Sequence, residues 1–100
     1  MTLLPSELSF GTLGLGKTSP SSAVTLTNAT SSNISLKSTA VGLDFEIVST
    51  TCSSTLGAGQ SCSYELAFRP LTLGSKNEMF KVTDSSSNSP QQVQLIGVAN

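Results

Sequence analysis

The 100-residue chain contains neither histidine nor tryptophan. Histidine is the most common general base and a common nitrogen ligand of metal ions, and tryptophan has the largest ring for stacking on a sugar. Without histidine, a serine nucleophile would depend on lysine as its base, and none of the lysines lies in a Ser-x-x-Lys pattern. We therefore expect no enzyme, no metal site and no cofactor.

Charge is also scarce, since charged residues make up 11% of the chain and the net charge is -1. Nucleic acids and anionic lipids bind basic surfaces, so neither is an expected partner. No apolar run is long enough to span a membrane, and the opening segment 1–5 lacks the basic flank and hydrophobic stretch of a signal peptide. We expect a soluble chain whose export signal, if it has one, lay in a longer precursor.

The chain is rich in small hydroxyl residues and in short apolar segments, and 100 residues are enough for one domain, 1–100, with one core. Apolar residues alternate with polar ones at a period of two, and clusters of Ser, Asn, Gly and Pro separate these segments. This pattern predicts about seven strands of an all-β sandwich or small barrel, around Leu8–Phe10, Ser22–Asn28, Ile34–Leu36, Phe45–Ile47, Tyr64–Phe68, Phe80–Val82 and Val93–Leu95.

Glycines occur at three positions between Gly11 and Gly16, a spacing found in phosphate-binding loops. Such loops precede a helix, and no helix pattern follows here, so we interpret the glycines as permitting a bend or bulge in the first strand.

Cys52 and Cys62 enclose nine residues that include two glycines, a segment able to turn and bring the sulfurs together. A disulfide between them would stabilise the fold by roughly 3 kcal/mol and would indicate an oxidising compartment. Two free thiols in a cytosolic domain remain the alternative. A metal site is excluded by the shortage of ligands, and a redox motif by the spacing.

A glycosidase mechanism needs a pair of carboxyl groups. Among the six carboxylates, the pairs to consider are Asp44 with Glu46 and Glu65 with Glu78. Strand alternation places Glu46 and Glu65 on the solvent side, so we predict a surface role for them. Asn28 and Asn33 each begin an Asn-x-Ser/Thr pattern, which indicates exposed turns and leaves glycosylation open.

Six segments in sequence order resemble one family: Pro5–Gly11, Val24–Asn28, Gly42–Phe45, Cys52 with Leu56–Cys62, Phe68–Pro70 with Gly74, and Val93–Gly97. Together they are similar to the immunoglobulin-like module named after abnormal-spindle and hydin proteins, in its bacterial "choice-of-anchor D" form. The chain departs from the pattern at Ala99, where many repeats have a second glycine.

The resemblance implies an immunoglobulin-like antiparallel β-sandwich of about seven strands, related to major sperm protein. Bacterial members occur as tandem copies in large secreted or surface-anchored proteins, where they are spacers or adhesive modules and are not known as enzymes. Eukaryotic relatives at cilia and centrosomes generally lack the cysteine pair, so Cys52 and Cys62 favour the exported bacterial branch and an extracellular or cell-surface location.

We therefore expect a non-enzymatic structural or interaction module whose partners are neighbouring copies or domains of its parent protein. Three alternatives remain: a carbohydrate-binding or adhesin domain, a subunit of a homopolymeric extracellular fibre, and an intracellular scaffold module. Tyr64 is the only tyrosine, which counts against a sugar site. We also expect Leu3 and Leu4, ahead of the first predicted strand, to be available for pairing with a neighbouring chain.

Overall fold

Short strands form wherever apolar side chains occupy alternate positions, because a strand points successive side chains to opposite faces. We describe the protein from a computed structural model, and the description covers residues 1–87 and 89–100. Within these ranges there are nine strands and no helix: β1 (Thr2–Leu4), β2 (Glu7–Leu13), β3 (Ser22–Thr27), β4 (Ile34–Val41), β5 (Phe45–Thr50), β6 (Thr55–Leu56), β7 (Ser61–Phe68), β8 (Gly74–Asp84) and β9 (Gln91–Ala99). Seven correspond to the predicted strands, and β1 and β6 are short additions.

The strands form two facing sheets, one in the order β1-β3-β7-β5 and the other in the order β2-β9-β8-β4-β6. All neighbours are antiparallel except β2 and β9, which run parallel. This parallel pair, which the strand pattern did not predict, arises because the chain crosses from the first sheet to the second between β1 and β2. The predicted immunoglobulin-like sandwich is confirmed.

The core lies between the sheets and consists of the inward-facing residues of both. Val24, Leu66, Phe80 and Leu95 are fully buried there. Near one end, Phe45 stacks on Phe68 with ring centroids 4.9 Å apart. Most of the predicted core positions are buried, whereas Leu8, Phe10, Leu36 and Ile47 are partly buried against the core.

The first glycine of the Gly11–Gly16 segment has the predicted structural role. Gly11 has a φ of +72°, and the register of β2 on β9 shifts between Ser9 and Thr12. A positive φ is accessible to glycine without steric cost, so Gly11 allows the β-bulge that bends the edge strand.

The N-terminal segment pairs with β3 of its own chain at the edge of the first sheet, which corrects the expectation for Leu3. Leu3 lies opposite Leu26 in the β1–β3 pair and is buried in the core. Only Leu4 of the two leucines is exposed. Successive side chains of a strand point to opposite faces, so β1 directs Leu3 toward the core when it pairs with β3. The burial of this leucine stabilises the pairing.

The strands run along a molecule with extents of 46 × 20 × 18 Å. At one end β1 begins beside Thr27 and Ser61, next to the turn that contains Asn28. At the other end β9 finishes at Ala99, which pairs with Gly74 and with Leu13 of β2. We call these the asparagine end and the leucine end. The first strand thus starts and the last strand finishes at opposite ends.

Candidate interaction surfaces

Cys52 and Cys62 are joined by a disulfide whose Cα atoms lie 5.0 Å apart. Cys62 is the second residue of β7, and Cys52 follows the end of β5. Hydrogen bonds from Thr51 N to Ser63 O and from Ser63 N to Thr51 Oγ1, at 3.0 and 2.9 Å, hold the segment before Cys52 against β7. The disulfide and these bonds together keep that segment on the first sheet.

A groove of about 250 Å³ opens beside the disulfide, between β4 of one sheet and β5 of the other. Its apolar lining comes from Leu36, Ile47, Cys52 and Tyr64, and Lys37 is its only charged residue. Beyond Ser35 no described strand pairs with the outer edge of β4. The groove contains no carboxylate, and its volume is below the roughly 300–1,000 Å³ of drug-sized ligand pockets.

Tyr64 forms part of the floor of this groove and is buried, with its ring 5.0 Å from Phe80 in an edge-to-face arrangement. Burial raises the pKa of Tyr64 above 10.0, and the negative charge of Asp84 raises it further. The hydroxyl therefore keeps its proton at neutral pH. A buried ring of this kind presents no face on which a sugar could stack.

Asp44 and Glu78 form a carboxyl pair that the sequence analysis did not predict. Asp44 N donates a hydrogen bond to Glu78 Oε1 at 3.1 Å, and Asp44 Oδ1 accepts one from Leu71 N at 2.9 Å. Glu46, the suggested partner of Asp44, instead lies 3.9 Å from Arg69 at the surface. Asp44, immediately before β5, meets Glu78 of β8 only when the two sheets fold together.

Gly42 permits this approach, since a Cβ at that position would lie 1.9 Å from Glu78 Oε1 and 2.5 Å from its Cβ. A hydrogen bond from Glu78 lowers the pKa of Asp44 below 3.8. Burial raises the pKa of Glu78 above 4.5, and the same hydrogen bond to Asp44 raises it further. The pair joins Asp44, immediately before β5, to Glu78 of β8, and Asp44 also holds Leu71 in the loop that follows β7.

Asn28 is fully buried, which corrects the prediction that it lies in an exposed turn. Its Nδ2 donates to Ser32 O and Leu56 O at 2.8 and 3.0 Å, and its Oδ1 accepts from Thr30 N at 3.0 Å. The bonds with Ser32 and Thr30 close the turn between β3 and β4, and the bond to Leu56 ties this turn to β6. The Asn-x-Thr pattern therefore marks a side chain that organises a turn, whereas Asn33 is exposed as predicted.

Among residues 1–87 and 89–100, no group of three or more His, Cys, Asp or Glu side chains is placed to hold a metal ion. The same residues contain no helix long and apolar enough to cross a membrane.

Two facing sheets with this strand order define an immunoglobulin-like domain of the PapD-like type. The seventh PapD-like domain of human CEP192, described as an "ASH / PapD-like domain", shares the fold with a TM-score of 0.73 and 18% sequence identity, over 98% of this chain and 83% of that one. The family model "Abnormal spindle-like microcephaly-assoc'd, ASPM-SPD-2-Hydin" (ASH) matches residues 1–92. The chain therefore belongs to the ASH family.

Two bacterial structures contain a similar domain. The secreted serine protease VesC of Vibrio cholerae matches 91% of this chain with a TM-score of 0.68 and 21% identity. The VesB protease of the same organism matches 95% with a TM-score of 0.69 and 22% identity. The matching region is 21% of the VesC chain and 30% of the VesB chain. A search of curated protein sequences found no significant match.

Proposed function

We propose that residues 1–100 form one non-enzymatic module of an exported bacterial protein, in which the module acts as a spacer or an assembly unit. The observation that carries this proposal is the direction of the chain, since β1 begins at the asparagine end and β9 finishes at the leucine end. A domain that the chain enters and leaves at opposite ends of its long axis extends its parent protein by about one domain length per copy.

The proposed exported location rests on the disulfide between Cys52 and Cys62. Disulfides persist in oxidising compartments and are rare in the cytosol. The description of VesC as secreted is in keeping with such a setting for this fold. An intracellular scaffold is the second candidate, favoured by the likeness to human CEP192.

We propose that the module is not catalytic, because the carboxyl groups described above have structural or surface roles. Asp44 and Glu78 hold a loop in place, and Glu46 lies beside Arg69 at the surface. The proteases VesB and VesC resemble the chain over less than a third of their own lengths. The buried ring of Tyr64 also makes a carbohydrate-binding role the weaker alternative.

The spacer role is tested by joining one, two and three copies in tandem and measuring their maximum dimension by small-angle X-ray scattering. We expect an increase close to the 46 Å long axis for each added copy. An increase near the 20 Å short axis would mean that the copies lie side by side, which would contradict the proposal.

The compartment is tested separately by intact mass and thiol alkylation of protein recovered from the bacterial periplasm without reductant. We expect the mass to be lower by the two hydrogens lost on oxidation and no alkylation of Cys52 or Cys62. Two alkylated thiols would favour the intracellular scaffold.

A further inference from the structure

The side of the sandwich that holds the groove leaves the space between the sheets open. Thr39 of β4 pairs with Val82, and Thr50 of β5 pairs with Tyr64. Val82 and Tyr64 are buried, whereas both threonines line the groove and are exposed. Paired residues of adjacent strands point to the same face of a sheet. Both threonines therefore face inward, at a place where the fold does not cover them.

The strands that border the groove, β4 and β5, both have an edge on this side, and the edge of β4 is the more regular. β5 shifts register on β7 between Ile47 and Ser49, which interrupts its edge near the middle. The four residues Ser38–Val41 of β4 pair with consecutive residues of β8. No described strand pairs with the other side of these four residues. We call Ser38–Val41 the β4 edge.

The β4 edge can pair with an additional strand through its backbone. An edge strand leaves N–H and C=O groups without partners in its own sheet, and these groups can bind an extended segment. Many natural edges are blocked by proline, lysine or a bulge, and Ser38–Val41 contains none of these. Alternate side chains of an added strand would enter the groove, where Leu36 and Ile47 provide apolar contacts.

The charges beside the β4 edge indicate what the added segment carries. Lys37 precedes the edge and lines the groove, and Lys81 pairs with Ala40 from the neighbouring strand. Both lysines are exposed, and no residue in the described ranges forms an ion pair with either of them. Pairing of two β4 edges by two-fold symmetry would bring the lysines of both copies together, which disfavours a second copy. A segment that carries carboxylates would complement them.

We propose that the β4 edge binds an extended segment of a partner protein, which joins the second sheet as a further strand. The segment has apolar side chains at the alternate positions that enter the groove, and it has carboxylates that meet Lys37 and Lys81. Because four edge residues provide few hydrogen bonds, we expect a dissociation constant between about 10 μM and about 1 mM. The inference goes beyond the spacer role, since it assigns a partner to a long side of the sandwich.

Binding is tested with the synthetic peptide Glu-Val-Thr-Val-Thr-Val-Glu, blocked at both termini and titrated into isotope-labelled protein while amide chemical shifts are recorded by NMR. We expect the largest shifts, and slower hydrogen exchange, at the amides of Ser38–Val41. A second peptide with lysine in place of both glutamates should bind at least about tenfold more weakly, because its charges oppose Lys37 and Lys81.

Two threonine variants separate strand addition from a general attraction to positive charge. Thr39→Lys places a charge on the groove side of the β4 edge, where an inward charge prevents strand addition. The matched control, Thr83→Lys, places the same charge on the outer face of the same sheet, at a residue that pairs with Ser38. Both threonines are exposed, so both variants should retain the urea midpoint of the wild type. We expect Thr83→Lys to bind the glutamate peptide at least as tightly as the wild type, and Thr39→Lys to bind it at least about tenfold more weakly.

Three results would overturn the proposal. The first is an absence of shifts at the β4 edge up to about 2 mM peptide, and the second is equal affinity of the two threonine variants for the peptide. The third is a wild-type dimer in sedimentation equilibrium that Thr39→Lys abolishes, since the edge would then bind a second copy.

These outcomes are separable from the spacer role. The length of tandem chains is measured without peptide and depends on the ends of the domain. Failure of the peptide to bind would leave the spacer proposal standing, and a short tandem increment would refute the spacer proposal whether or not the peptide binds.

Discussion

Removal of the disulfide should destabilise the domain by an amount that the loop length determines. Cys52 and Cys62 are ten positions apart. In the chain-entropy model, closing a loop of that size lowers the entropy of the unfolded chain by about 9 cal/mol/K, which is about 2.7 kcal/mol at 25 °C. Domains of this size have total stabilities of about 5–15 kcal/mol, so the loss is large enough to measure reliably.

Two perturbations separate the stability contributed by the disulfide bond from the stability contributed by the buried sulfur of Cys62. Reduction of the wild type breaks the bond and keeps both sulfurs, so it should lower the free energy of unfolding by about 2.7 kcal/mol. Cys52→Ala with Cys62→Ala also removes the buried sulfur of Cys62 from the core, which should add roughly 1 kcal/mol.

Urea unfolding, followed by circular dichroism at pH 7 with and without reductant, measures both differences. The slope of the transition should also rise on reduction, because an unfolded chain without the cross-link exposes more surface. A reduced protein within about 1 kcal/mol of the oxidised one would refute the reasoning, since the loop would then contribute little to stability.

Three further perturbations test individual contacts, each by urea unfolding. Asn28→Ala should cost about 2–3 kcal/mol, because Leu56 O is left without its buried donor; a loss below about 0.5 kcal/mol would contradict the role assigned to the side chain. Gly97→Ala should lower the free energy of unfolding by about 2 kcal/mol, because the new Cβ would lie 2.6 Å from the ring of Phe68. Val98→Ala, at an exposed neighbouring position, should be nearly neutral. Equal losses of stability in the two variants would argue against a steric origin. Glu78 has a raised pKa, so its proton stabilises the fold below pH 4.5 and this contribution is lost as the pH rises through the raised value. Glu78→Gln keeps a neutral side chain at all pH values. It should therefore raise stability at pH 7 relative to the wild type and change it little at pH 4; the same difference at both pH values would show that the pKa of Glu78 is not raised in the folded protein.

The amino-acid sequence by itself determined the sandwich and most of its core. Alternation of apolar and polar residues is a local property, so the strands around Val24, Leu66 and Phe80 follow from the order of the residues alone. Turn residues mark strand ends for the same local reason. The disulfide could also be predicted from the sequence, because the two cysteines are close in sequence and flank a glycine-containing segment.

The tertiary structure decided what depends on contacts between distant segments. The pairing of Asp44 with Glu78 spans 34 positions, and the burial of Asn28 follows from its bond to Leu56, which is 28 positions away. A pattern of neighbouring residues does not predict contacts between segments that are so far apart in sequence. The pairing of β1 with β3 and the parallel course of β2 along β9 belong to the same class, since β1 is too short for its alternation to indicate a partner strand.

The grouping of the exposed leucines is a tertiary property too. Leu15, Leu43 and Leu71 lie in three separate loops, where each one alone has the sequence signature of an ordinary surface leucine. The strand registers bring the ends of β2, β4 and β7 toward one end of the sandwich, so the three loops lie at the same end only in the folded chain. Sequence periodicity therefore determined which residues face the core, and chain topology determined which loops lie at the same end of the sandwich.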